Sequence, residues 1–147
     1  MNDSKSSVLT VNIVTPDGII YNHPAKMLIV QAMDGSLGIM ADHEPLVATL
    51  KIAKVRIKRL DDPSQEDEIA VNGGFLEMNN NIASIVADSA ELKDNIDLSR
   101  AELARDRARR CIEEAKLNKD ADSLKRATVA LQRAMNRINV KNGNNDQ

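Results

Sequence analysis

Residues 93–117, KDNIDLSRAELARDRARRCIEEAKL, decide how this chain is divided. Apolar residues fall at Ala101, Ala104, Ala108, Cys111 and Ala115. Intervals of three and four are the period of one helix face. Asn95 or Asp97 stands where an N-cap is required. Residues 118–122 are polar and offer a second N-cap, after which Leu124, Ala127, Leu131, Ala134 and Ile138 repeat the spacing. Two helices joined by a short loop run antiparallel, so residues 93–147 are expected to form an α-helical hairpin with a heptad-like seam. That seam is mostly alanine and buries little area at ~25 cal/mol per Å². Ordering each residue costs ~1–2 kcal/mol of backbone entropy. The hairpin is therefore expected to fold weakly alone and to lean on a partner or ligand, with residues 141–147 as a polar, frayed end.

Upstream of Lys93 the pattern differs. Leu9, Val11 and Ile13 alternate with Thr10, Asn12 and Val14, and Pro16-Asp17-Gly18 reads as a turn. Short apolar runs follow at 19–21, 27–31, 37–40, 46–50, 55–60, 69–71, 75–78 and 82–87. Their close spacing predicts an antiparallel β-sandwich of about ten short strands over residues 1–92. The polar stretch 60–68, with Pro63, reads as a solvated hairpin loop, and Gly73-Gly74 as a bulge or a tight bend. The fold class is thus α+β, an antiparallel sandwich followed by a helical hairpin.

Charge follows the same division. Residues 1–92 hold 7 basic and 13 acidic side chains, net −6, and residues 93–147 hold 13 and 9, net +4. Such asymmetry suggests two modules with different tasks. No apolar run approaches the ~20 residues that span a bilayer. The first ten residues lack the pattern of a signal peptide, so a soluble cytosolic protein is the expectation. Cys111 is the only cysteine, and the two histidines lie far from it in sequence, so neither a disulfide framework nor a metal cluster is expected. Tyr21 and Phe75 are the only aromatics, which argues against base stacking.

Eight of the ten arginines fall between Arg100 and Arg137. Arg126, Arg133 and Arg137 lie within roughly 40° on one helix, and Arg100 and Arg107 share a stripe on the other, both beside the alanine seam. A bland reading makes this a solvated face with local partners: Asp106 with Arg110, and Glu102 with Arg105 or Arg109. The preference for arginine over lysine favours recognition of phosphate or carboxylate by a planar fork. The hairpin is therefore expected to meet an anion: a nucleotide, an acidic protein surface, or both in turn. The spaced glycines of Gly35-Ser36-Leu37-Gly38-Ile39 lack the lysine and helix of a phosphate loop and read as a tight turn between strands. His43 has no nucleophile or acid partner in the sequence and reads as a packing or partner contact. Asp61-Asp62 and Glu113-Glu114 suggest no glycosidase chemistry. Cys111, on the seam, reads as a small buried hydrophobe. No catalytic residue and no metal ligand is assigned.

Several motifs together resemble the epsilon subunit of F-type ATP synthases, of the bacterial type. They are Gly35-Ser36-Leu37-Gly38-Ile39 with His43, Pro45 and Leu46; Val71-Asn72-Gly73-Gly74-Phe75-Leu76-Glu77; the strand from Ser84 to Glu91; and Ala130-Leu131-Gln132-Arg133-Ala134-Met135-Asn136-Arg137. The likeness spans residues 8–140. It implies a non-catalytic central-stalk subunit in a complex peripheral to the cytoplasmic face of the cell membrane, coupling proton transport to ATP synthesis. Its sandwich, residues 1–92, would bind the gamma subunit through the stretch around His43 and the c-ring through the turn near Ser36. Its hairpin, residues 93–147, would regulate ATP hydrolysis by engaging the catalytic alpha and beta subunits. Some bacterial members bind ATP through an Ile/Leu-Asp-x-x-Arg-Ala motif, which here is Ile96-Asp97-Leu98-Ser99-Arg100-Ala101. By the resemblance, Glu91, Ile96, Asp97, Arg100, Ala101, Arg107, Arg133 and Arg137 would form a regulatory ATP site, with magnesium accompanying the nucleotide. Met40-Ala41-Asp42 departs from the family at a stretch that usually contains proline, which bears on the turn facing gamma. The competing reading is a basic hairpin that binds RNA or duplex DNA. Scarce aromatics and the acidic first half weigh against it, so no nucleic-acid partner is expected.

Overall fold

The computed structural model describes residues 7–143, so residues 144–147 of the polar tail lie outside the described residues. Two compact units divide after Leu92. The first contains strands β1 (Leu9–Thr15), β2 (Gly18–Ala32), β3 (Gly35–Ile39), β4 (Leu46–Arg59), β5 (Glu66–Asn79), β6 (Ile82–Ala87) and β7 (Ala90–Leu92). They pair in the order β1-β6-β5-β4-β2-β3, with β7 on β5 and β1 returning to β2. All pairings are antiparallel except β1 with β6, which is parallel.

Three strands, β2, β4 and β5, are far longer than the rest, and each changes which face points inward partway along. In β2 the buried residues are Tyr21 and Ala25, then Leu28, Val30 and Ala32. In β4 Leu50 gives way to Val55 and Ile57, and in β5 Ile69 and Val71 give way to Leu76 and Met78. Side chains alternate with period two, so a change from odd to even positions means that the strand has twisted into the other layer. One layer holds β1, β6 and the arms 18–25, 46–50 and 74–79. The other holds β3, β7 and the arms 27–32, 52–59 and 66–72. The ten short strands read from the sequence are thus seven continuous ones, three of which serve both layers. Their inner faces share one core that includes Leu9, Ile13, Leu28, Ile57, Ile69 and Ile85, all fully buried.

Gly73-Gly74 marks the crossing in β5. Both residues have positive φ (85° and 130°), and a Cβ on Gly74 would collide with the carbonyl oxygen of Val86. The pairing with β4 keeps its register from Leu50↔Gly74 to Ile52↔Asn72, so the pair makes a bend and not a bulge. The loop expected at 60–68 is shorter, because Glu66, Asp67 and Glu68 already pair with β4.

In the second unit a 3-10 turn (Lys93–Asn95) precedes helices α1 (Leu98–Leu117) and α2 (Ala121–Asn142). Asp97 caps α1 by accepting from the Arg100 amide at 3.2 Å, and Asp120 caps α2 by accepting from the Ser123 amide at 3.1 Å. Gly143, at φ 72°, closes the end of α2 in the left-handed region. The helices pack antiparallel on Ala101, Ala108 and Ala115 of α1 and Ala127, Ala134 and Ile138 of α2. Cys111 departs from its expected place, since it is exposed. The buried alanines of α1 recur every seven residues, which puts exposed Cys111 and half-buried Ile112 on opposite sides of their line, each about 50° off it.

Candidate functional site

The hairpin collects the expected anion-binding residues on one side. Arg100 and Arg107 stand about 80–100° from the α1 seam, and Arg126, Arg133 and Arg137 about 80–120° from the α2 seam, in the same rotational sense. In antiparallel helices equal offsets of the same sense fall on the same broad face. Counted from the turn at 118–120, Arg107 and Arg133 lie ~18 and ~21 Å along their helices, and Arg100 and Arg137 ~28 and ~27 Å. The arginines therefore face one another in two tiers. At the far tier, Lys141 Nζ donates to the Lys93 carbonyl at 3.2 Å and ties the end of α2 to the turn before α1.

Among the described residues, Arg100, Arg107, Arg109, Arg110, Arg126 and Arg133 make no ion pair. Arg126 donates only to Ser123 Oγ, at 3.3 Å. The partners of the bland reading do not form. Arg105 pairs instead with its neighbour Asp106 at 3.0 Å. An arginine face with little internal neutralisation has its donors available for an external anion.

The remaining residues of the expected nucleotide site occupy different settings. Ile96 and Ala101 are buried. Asp97 is exposed, with one carboxylate oxygen engaged in the cap. Glu91 belongs to the first unit, on β7, opposite Ala70 of β5. Ser36 is exposed on β3, where its Oγ accepts from Gln31 Nε2 at 3.2 Å. The tight turn lies just before it, at Met33-Asp34, and Gly35–Ile39 is a strand with no helix after it. His43 is half-buried in the loop 40–45. Its amide donates to the Met40 carbonyl at 3.2 Å, and its Nδ1 donates to the Glu44 carbonyl at 2.9 Å.

A cleft of about 450 Å³ in the first unit, absent from the sequence reading, is lined by Tyr21, His23, Arg59, Asp61 and Asp67, with Pro24 and Leu60. Four of its polar residues pair off: Tyr21 Oη donates to Asp67 at 2.6 Å, and Arg59 forks onto Asp61 at 3.0 and 2.7 Å. Burial, then the Asp67 carboxylate, push the Tyr21 hydroxyl well above its ordinary range, so it stays a donor. Only long-range pairing assembles this cleft, and local sequence spacing carries no signal for it.

The comparisons agree with this architecture. The family model described as "ATP synthase, Delta/Epsilon chain, beta-sandwich domain" matches residues 8–93, and "ATP synthase, Delta/Epsilon chain, long alpha-helix domain" matches residues 94–142. The chain is 57% identical over 142 residues to the ATP synthase epsilon chain of Latilactobacillus sakei subsp. sakei (strain 23K), covering 97% of this chain and 98% of the relative. It is 59% identical over 136 residues to that of Lacticaseibacillus casei (strain BL23), covering 92% and 95%. Among solved structures, a chain of the Euglena gracilis mitochondrial ATP synthase matches with a TM-score of 0.72 at 19% identity, over 90% of this chain and 80% of that one. At that identity the likeness shows the fold alone. The chain belongs to the delta/epsilon chain family of ATP synthases. Within it the chain is of the epsilon type, a non-catalytic subunit of the complex.

Proposed function

We propose that the sandwich docks this subunit on the rotor, through the loop around His43 to gamma and through the β3 edge near Ser36 to the c-ring. In that place, peripheral to the cytoplasmic face of the membrane, it helps couple proton transport to ATP synthesis. The hairpin is an ATP-responsive brake on hydrolysis. The observation that carries this reading is the arginine face. Its stripes from α1 and α2 converge only while the helices are packed, and most of its guanidinium groups lack an ion-pair partner. ATP, with magnesium, would bridge the two stripes and hold the packed form by mass action. When ATP is scarce, the same arginines would engage acidic surfaces of the alpha and beta subunits.

The test is hydrolysis by the assembled complex with and without residues 93–147. Deletion should raise hydrolysis, most at low ATP; equal rates at every ATP concentration would remove the brake. Calorimetry on the full chain tests the ligand. Arg133→Ala and Arg137→Ala should each weaken ATP binding by roughly 1–3 kcal/mol, the scale of a charged hydrogen bond. Unchanged affinity in both would place the nucleotide elsewhere.

A further inference from the structure

We infer that Asn81 is a positioning residue for the loop that carries His43. The loop 40–45 has one proline, Pro45, and it follows His43. Asp42 adopts φ 68°, a left-handed conformation that costs most non-glycine residues energy and that local hydrogen bonds support. That support comes from another hairpin, 39 residues away in sequence. The Asp42 amide donates to Asn81 Oδ1 at 2.6 Å, and Asn81 Nδ2 donates back to Asp42 Oδ1 at 3.2 Å.

Asn81 is itself firmly mounted. Asn80 and Asn81, at φ 50° and 64°, make the two-residue connection between Asn79 and Ile82, as a type I′ turn demands. The Asn81 carbonyl also accepts from the Thr10 amide at 2.9 Å, which anchors the turn to β1. A reciprocal pair on so fixed a base holds Asp42, and the adjoining His43 amide then closes on the Met40 carbonyl. The pair does for this loop what proline does elsewhere: it limits the conformations available before binding. A pre-organised loop loses less entropy on docking.

This inference rests on the reading that His43 contacts gamma. Asn81→Gly separates the two ideas, because glycine keeps the positive φ and Asn-Gly is a favoured type I′ pair, so the hairpin itself keeps its stability. In the full-length variant, hydrogen exchange at the Asp42 amide should accelerate about tenfold or more. Affinity for a complex of alpha, beta and gamma subunits should fall about tenfold, the part of the pair's support that pre-organisation of the loop carries into docking. The double variant Asp42→Asn with Asn81→Asp exchanges donor and acceptor, and it should return affinity to within about threefold of the parent. Unchanged exchange at Asp42 in Asn81→Gly would overturn the clamp. Faster exchange with unchanged affinity, in a protein whose His43→Ala variant binds weakly, would overturn the positioning role and leave the gamma contact standing. Unchanged affinity in His43→Ala would overturn the contact and, with it, the functional half of this inference.

Discussion

The sandwich and the hairpin are held by different physics. The largest fully buried side chains, among them Leu9, Ile13, Leu28, Ile57 and Ile85, all precede Lys93. Helix α1 buries only Ala101, Ala108 and Ala115. A buried leucine or isoleucine is worth ~1.5–3 kcal/mol of transfer free energy. An alanine methyl is worth about one CH₂ group, ~0.8 kcal/mol, against a similar ordering cost. By this measure the second unit, whose larger buried apolar side chains are Ile96, Ile138 and Val140, sits much nearer balance than the first. A unit near balance can be moved by a ligand worth a few kcal/mol, which suits a regulator. A sandwich that carries the proposed docking surfaces must not move so easily.

The strongest way to break this contrast is to separate the units. Residues 1–92 alone should melt cooperatively, while residues 93–147 alone should show little helix by circular dichroism at 25 °C. A hairpin fragment that is helical and melts cooperatively would mean that its alanine seam suffices. Next in size, Leu28→Ala in the core should cost about 2–5 kcal/mol in urea denaturation. Gly74→Ala should cost about 2–4 kcal/mol, since it adds backbone strain to a collision with the Val86 carbonyl.

Smaller effects sharpen the hairpin side. Asp97→Ala removes the α1 cap and should cost about 1 kcal/mol, read as a lower midpoint of the helical transition. The Ser123 hydroxyl and amide, which donate to Asp120 at 2.7 and 3.1 Å, hold its carboxyl below the usual carboxylate range. The folded form favours the charged group. Its contribution is therefore present above pH ~4 and is lost as pH falls through the lowered folded value. Asp120→Asn keeps a capping oxygen and should flatten part of the acid dependence of helicity. Cys111→Ser should change stability by less than about 0.5 kcal/mol, because the thiol is exposed. A larger loss would return Cys111 to the seam.

Legibility differed between the units for a physical reason. Helix contacts are local, so Ala101, Ala108 and Ala115, a second cap within 118–122 and the arginine stripes followed from spacing alone, while the structure assigned that cap to Asp120. Cys111 was misplaced because three-four spacing leaves two candidate lines, and only the packed partner helix selects one. The sandwich appeared as short runs because β2, β4 and β5 break their alternation where they change layers; nothing local shows that two runs form one strand. The three-residue β7 was missed, since Ala90–Leu92 is too short to show a period.

The sequence by itself determined the division at Lys93, the α+β class, the hairpin and the family, because period, charge asymmetry and turn residues are properties of neighbouring positions. Tertiary structure decided which arms share a layer and that arginines from separate helices face the same way. It decided too that Asn81 reaches across 39 residues to hold Asp42. Those are contacts between distant segments, and they exist only once the chain has closed its loops.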